Sequence, residues 1–429
     1  MIIAAVVALV LLALMGAPLF AVILAAAALG YFVLGIDLTV LHIDIYQVSA
    51  SVVLMALPLF TFAGFLLGES KTADRMLRLS QAAFGWMPGG MAFVALVACA
   101  FFTALTGGSG VTIVALGGLL MPALMKVGYP ERFSTGLLTT SGSLGLLLVP
   151  SVPLLIYGII AQQMAQQLPM PSVEIVDLYL AGVGPAILMV VLLYAYCVWA
   201  MRANPIPRQA FQWRELRAAL WEARWELPLP FVVLGGIFSG WLVVSEAAAV
   251  TALYVLIAQV FLYREVPIAA LPRIMRESMI MVGGILLILG VAMSFTGYLV
   301  FAGVPEQLFE LIQAHVSSKL MFLILLNIVL LILGAVLDIF AALVIMVPLI
   351  LPVAINYGID PVHLGIIFVA NMQIGYFTPP VGMNLFIASY RFNKPISELY
   401  KATIPFMLVL LVALVAITYV PALSLYWVR

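Results

Sequence analysis

Six stretches of this chain contain no Asp, Glu, Lys or Arg: residues 1–36, 79–125, 133–173, 178–201, 278–305 and 402–428. Roughly 20 apolar residues let a helix cross the hydrocarbon core of a bilayer, and every one of these stretches is longer. Charged residues make up only 8% of the 429, against roughly 25% in a soluble domain. The chain is therefore an all-α polytopic membrane protein. Its 18 basic residues balance its 18 acidic ones, so there is no polybasic arm and no reason to expect nucleic acid as a partner. The first stretch lacks the basic start of a secretory signal and a second span follows at once, so it reads as membrane helix. Cys99 and Cys197 sit in apolar runs without metal-ligand spacing and read as buried free thiols. The longest polar stretch, 202–226, is too short for a soluble domain.

The chain matches itself at an offset of 230 residues, which places Pro122 on Pro352, Gly128 on Gly358, Gly145 on Gly375 and Pro150 on Pro380. Loop charges test this repeat independently, because Lys and Arg concentrate on the cytoplasmic side. Loop 35–48 carries Asp37 and Asp44 without a basic residue, while 265–278 carries Arg273 and Arg276. Loop 69–88 carries Lys71, Arg75 and Arg78, while 299–318 carries Glu306 and Glu310. Lys126 and Arg132 bracket the third loop, whose partner at 356–362 has only Asp360. Glu174 and Asp177 mark 162–178, whereas 391–401 has Arg391, Lys394 and Lys401. The sign flips at all four pairs, the signature of an inverted-topology repeat. We divide the chain into a first repeat (1–200), a linker (201–227) and a second repeat (228–429). The linker's five arginines place it inside, and Trp213, Trp221 and Trp225 predict an amphipathic helix at the interface.

Segment 91–125 then enters and leaves from the cytoplasmic face, as a pair of half-helices turning at Thr106-Gly107-Gly108-Ser109-Gly110. Segment 320–355 mirrors it from outside, turning near Gly334–Asp338. Segments 2–34 and 228–262 each read as two short crossings, with turns near Gly16-Ala17-Pro18 and at 241–246, which leaves both termini outside; length alone also allows one tilted span for 2–34, and the repeat favours two. Two spans are broken by Gly and Pro, at 139–153 and at 371–384.

Irregular backbone at membrane depth persists only where it is buried in protein or lines a wet cavity. Proline removes a donor and glycine permits unusual dihedrals, so carbonyls at the two tips and two breaks are released from the helical ladder. With Ser, Thr, Asn and Asp oxygens they form a hard-oxygen shell suited to Na⁺, and helix N-termini opposite them favour an anion. Asp338 is the one acid inside a hairpin, and it reads as a sodium ligand, a proton site or a helix cap. Glu246 is expected to cap the helix beginning near Ala247, and His42, His315 and His363 to lie at the surface. No H-E-x-x-H, G-x-S-x-G or P-loop is present, which leaves an enzyme without a catalytic motif.

At these motifs the chain resembles the large membrane subunit (DctM type) of TRAP transporters, the tripartite ATP-independent periplasmic transporters. The resemblance runs through MPALMKVGYP (121–130), VPSVPLLIYG (149–158), SEAAAVTALY (245–254), LGAVLD (333–338), GIDPVHLGI (358–366) and IGYFTPPVGMNLFIAS (374–389). Two positions depart from the family's pattern: Thr106 stands where serine is frequent, and Val149-Pro150 where Pro-Pro is.

The resemblance implies an elevator-type importer of a small organic anion (a C4-dicarboxylate, sialic acid or similar carboxylate) with sodium, in a bacterial inner membrane. It implies two partners, a periplasmic substrate-binding protein and a small four-helix membrane subunit on a separate chain. It assigns sodium to Thr106, Gly107, Gly108, Ser109, Ser143 and Gly145 on one side, and to Gly334, Asp338, Gly375 and Thr378 on the other. The anion is expected at Ser109, Ser141, Asn371, Thr378 and Asn384. Na⁺ is the one cofactor expected. The alternatives are a stand-alone sodium/dicarboxylate symporter, separated by uptake without a binding protein, and a non-transporting assembly subunit, separated by sodium-dependent stabilisation.

Overall fold

The computed structural model describes residues 7–428 apart from 10, 13–14, 50–51, 169, 203–209 and 317. The first of the two crossings expected within 2–34 lies largely outside the described residues. The second follows a turn at Met15 and Gly16. The first half holds α1 (Leu19–Leu34), α2 (Thr39–Ser49), α3 (Ala56–Gly68), α4 (Thr72–Phe84), α5 (Gly90–Thr106), α6 (Ser109–Val127), α7 (Glu131–Ser141), α8 (Val152–Gln167) and α9 (Ile175–Ala200). Helix α10 (Trp213–Glu222) lies in the linker, with Trp213 and Trp221 exposed as an interfacial helix requires. The second half holds α11 (Pro228–Phe238), α12 (Val244–Leu256), α13 (Leu271–Phe301), α14 (Val304–His315), α15 (Lys319–Val336), α16 (Ile339–Asn356), α17 (Pro361–Gly375), α18 (Met383–Phe392) and α19 (Ile396–Tyr419). Among the described residues eight helices are long and apolar enough to cross a membrane, or nine if one bent pair counts as a span.

Helix starts repeat at the offset seen in the sequence: α6 opens at Ser109 and α16 at Ile339, α7 at Glu131 and α17 at Pro361. The turn between α11 and α12 falls at 239–243, and the Val243 N–H donates to Glu246 Oε2 at 3.1 Å, so Glu246 caps α12 as expected. Two groups of helices pack together. Helices α1, α2, α3, α12 and α13 form one; α5 to α9 and α15 to α19 form the other. Helix α17 lies at the centre of the second group, every one of its residues buried.

Three expectations change. The hairpin arms α5, α6, α15 and α16 run for 17, 19, 18 and 18 residues, so each reaches roughly 26–28 Å rather than half a membrane. Apolar sequence continues on both sides of each tip, and the helices follow it. The charged loops 69–88 and 299–318 contain amphipathic helices, α4 and α14. The chain bends by 75° where the 53–68 helix gives way to α4. His363 is buried, 3% exposed, its ring nitrogens 2.6 Å from Ser424 Oγ and 3.2 Å from the Thr418 carbonyl oxygen. Those partners lie more than 50 residues on, so its position beside a loop carries no sign of them.

A buried ionic cluster holds α4 in place. Arg75 donates to Glu226 Oε1 at 2.5 Å and to Glu265 Oε1 at 2.5 Å, with Arg75 and Glu226 side chains 9% and 1% exposed. Thr72 and Tyr263 hydroxyls also donate to Glu226, at 3.1 and 2.7 Å. Further out, Arg78 pairs with Glu215 and Glu222, and Arg273 with Glu69.

Candidate ion and substrate site

The first tip is made by Gly107, whose φ of +71° is a conformation other residues avoid, and by extended Gly108. A Cβ on Gly107 would stand 3.2 Å from Val152, which places the tip against the start of α8. The Ser109 hydroxyl donates to Asn384 Oδ1 at 2.8 Å, and Asn384 Nδ2 donates to the Thr139 carbonyl at 3.4 Å. Thr103 and Thr112, mirrored about the tip, share a hydrogen bond of 2.7 Å, and Thr103 Oγ1 lies 2.8 Å from the Gly142 carbonyl oxygen. Gly145 lets the first break lie directly on α5, since a Cβ there would strike the Ala100 carbonyl.

The second tip is built differently. Asp338 is the N-cap of α16, its Oδ2 accepting from the Phe340 N–H at 3.0 Å. Its Oδ1 accepts from the Tyr376 hydroxyl at 3.0 Å, and that hydroxyl accepts from the Ile339 N–H at 3.0 Å. The Gly382 N–H donates to the Ala335 carbonyl at 2.8 Å. Gly334 and Gly375 meet backbone to backbone, so that a Cβ on Gly375 would lie 2.5 Å from Gly334.

These contacts draw four helix N-termini together: α6 at Ser109, α8 at Val152, α16 at Ile339 and α18 at Met383. Helix α6 packs along α18, and α8 along α16. Two of the four are closed by a side chain, α8 by Ser151 accepting from the Leu154 N–H and α16 by Asp338. The other two begin after Gly108 and Gly382, and no side chain caps them. At α18 the Asn384 and Leu385 N–H groups donate to the carbonyls of Tyr376 and Gly382, each at 2.9 Å, so the anion-attracting elements are the first-turn N–H groups of α6 and the positive dipole ends of both helices. The uncapped pair lies side by side, joined by Ser109 and Asn384.

Most of the residues singled out from the sequence fall at this junction. The Thr106, Ser141 and Thr378 hydroxyls donate to the carbonyls of Phe102, Leu138 and Ile374 in their own helices, at 2.8, 3.4 and 2.8 Å. Donating backwards in this way leaves each oxygen's lone pairs for another partner. Ser143 bridges the two breaks, its hydroxyl 3.3 Å from the Thr140 carbonyl and 3.2 Å from that of Gln373. Asn371 points elsewhere, its Nδ2 donating to Asn327 Oδ1 at 2.6 Å and to the Ile367 carbonyl at 2.8 Å, which ties α17 to α15. Sequence reasoning missed Tyr376, Thr103 and Thr112. The threonines carried a signal, since they flank the Gly-Gly turn at equal distance; Tyr376, inside an apolar run, carried none.

The family model described as tripartite ATP-independent periplasmic transporter, DctM component, matches residues 6–423. The chain is 37% identical over 378 residues to the C4-dicarboxylate TRAP transporter large permease protein DctM of Rhodobacter capsulatus, covering 87% of this chain and 86% of that one. It is 30% identical over 422 residues to the ectoine/5-hydroxyectoine TRAP transporter large permease protein UehC of Ruegeria pomeroyi, covering 97% and 96%. In fold it is similar to the crystal structure of the Alcanivorax borkumensis YdaH transporter, with a TM-score of 0.60 and 17% identity over 86% of this chain and 84% of that one.

Proposed function

The chain belongs to the DctM component family of the tripartite ATP-independent periplasmic transporters, and from that premise we propose that it carries a small organic carboxylate into the cell together with sodium. It is a multi-pass permease subunit and not an enzyme. The observation that carries the proposal is the junction of four helix N-termini, two capped by side chains and two, beside each other, without a side-chain cap. The side-by-side ends of α6 and α18, both without a side-chain cap, suit a carboxylate. The tips and breaks, rich in hydroxyl and carbonyl oxygens, suit the sodium ions: one near 106–110 with Ser143 and Gly145, one at Asp338 with the 375–384 break. Relatives named for C4-dicarboxylates and for ectoine fit such a site, because both cargoes carry a carboxylate.

The inverted repeat is supported by contacts between loops. Lys71 and Arg75 bond to Glu265, Glu69 to Arg273 and Glu131 to Lys394, and each pair joins loops read as cytoplasmic. Lys319 donates to the Gly358 carbonyl and Tyr357 to that of Val316, which joins loops read as outside. In our reading the hairpin group (α5–α9 and α15–α19) moves as an elevator against the other group, within the bacterial inner membrane. Ion binding orders the tips and completes the anion site, and that difference in affinity couples the two gradients. A tripartite system also needs a periplasmic binding protein and a small membrane subunit.

The test is uptake into proteoliposomes holding this chain with its small subunit. We expect transport only with both an inward sodium gradient and the binding protein. Equal uptake without the binding protein would make it a stand-alone symporter, and uptake indifferent to sodium would remove the coupling.

A further inference from the structure

Helices α7 and α19 begin next to each other on the face read as cytoplasmic, and a cavity of about 220 Å³ opens between their first turns. Glu131, Arg132 and Thr135 line it from α7, Glu398 and Lys401 from α19, and Lys394 from the loop between α18 and α19. Lys394 is held by the two carboxylates, 2.8 Å from Glu131 and 4.0 Å from Glu398. The other two cations are not neutralised. Arg132 spends one N–H on the Lys401 carbonyl at 2.9 Å, and among the described residues the Lys401 ammonium has no hydrogen-bond or ion-pair partner.

Three cations thus face two carboxylates. Both helices follow a proline, Pro130 and Pro395, and no side chain caps either. Each uncapped end adds about half a positive charge, which brings the cavity to roughly two positive charges in all. That surplus and the forked donors of Arg132 suit a tetrahedral oxyanion, and the cavity has room for one with its water. We infer that this cavity binds a phosphate group, either inorganic phosphate or the headgroup of a phospholipid in the adjoining leaflet. Bound there, the phosphate bridges the first half of the chain to the second, beside the tight crossing where Gly136 of α7 lies against the backbone of Ala402. The site lies at the outer ends of α7 and α19, away from the junction of the tips.

Thermal unfolding of the purified chain in detergent tests this, without cargo and in sodium-free buffer so that the outcome does not depend on the transport reading. Inorganic phosphate at about 10 mM is compared with chloride at equal ionic strength, and micelles doped with phosphatidic acid with micelles doped with phosphatidylcholine. We expect a rise in the unfolding midpoint of roughly 2 °C or more in at least one arm. A response to inorganic phosphate assigns a soluble ligand; a response to phosphatidic acid alone assigns a lipid. Arg132→Gln and Lys401→Gln should each abolish the rise, while Lys126→Gln, a neighbouring cation outside the cavity, should keep it. No rise in either arm overturns the inference, and so does a rise that survives both cavity variants.

Discussion

Asp338 caps α16, and in the proposed mechanism it also binds sodium; one substitution separates the two. As N-cap of α16 it needs only an oxygen to accept from the Phe340 N–H, and asparagine supplies that oxygen about as well as aspartate. The Tyr376 hydroxyl bonds the other carboxylate oxygen, so in asparagine it faces the amide N–H and accepts from it instead of donating. Asp338→Asn therefore keeps the fold of the second tip, and unfolding without sodium should shift by less than about 1 kcal/mol. What it removes is a full negative charge. Two unit charges about 4 Å apart in surroundings of effective dielectric near 20 interact by about 4 kcal/mol. At roughly 1.4 kcal/mol for each factor of ten, sodium affinity should fall on the order of a thousandfold. The assay is the sodium concentration giving half-maximal thermal stabilisation, with sodium-driven uptake measured alongside. Asp338→Ala is the comparator, losing the cap as well and a further 0.5–2 kcal/mol or about that in stability. If Asp338→Asn keeps the wild-type sodium midpoint, Asp338 is a cap and nothing more.

Gly375→Ala should destabilise by about 1–3 kcal/mol and stop uptake, because its Cβ would meet the Gly334 backbone at 2.5 Å and neither strand of chain can move alone. Gly118→Ala should be mild by the same thermal assay, since the atom in its way is the end of the exposed Arg391 side chain. Arg75→Leu strands buried Glu226 without its counter-charge and should cost about 3–5 kcal/mol, whereas Arg78→Ala, with 40% of its side chain exposed, should cost about 1 kcal/mol or less. Denaturant titration of the two variants checks the contrast. Single cysteines at Lys71 and Glu306 should label from opposite sides of the membrane; labelling from the same side would end the inverted-repeat reading.

The tips and breaks were legible because Gly, Pro and hydroxylated residues interrupt apolar runs that otherwise lack them, as at Thr106-Gly107-Gly108-Ser109 and Thr378-Pro379-Pro380. The repeat was legible because two independent patterns, Gly/Pro positions and loop charge, shared one offset. Helices α4 and α14 escaped because their charges were counted for sidedness while their spacing went unread, although Ala73, Met76 and Ser80 fall on one buried face of α4. The partners of Asp338, His363 and Arg75 lie 38 to 190 residues away along the chain. Nothing local marks such pairings; packing alone makes them.

Pseudo-symmetry in this molecule stops at its caps. Serine and aspartate oxygens occupy the ends of α8 and α16, whereas α6 and α18 follow glycines and have no side-chain cap. A guest anion at the junction consequently meets a centre with a preferred direction, drawn toward the pair whose far ends lie near Lys126 and Arg391 and away from the pair already quenched by the protein's own oxygens. One side chain at Gly108 or Gly382 with an oxygen in the right place would even that imbalance out and leave the permease bound to itself.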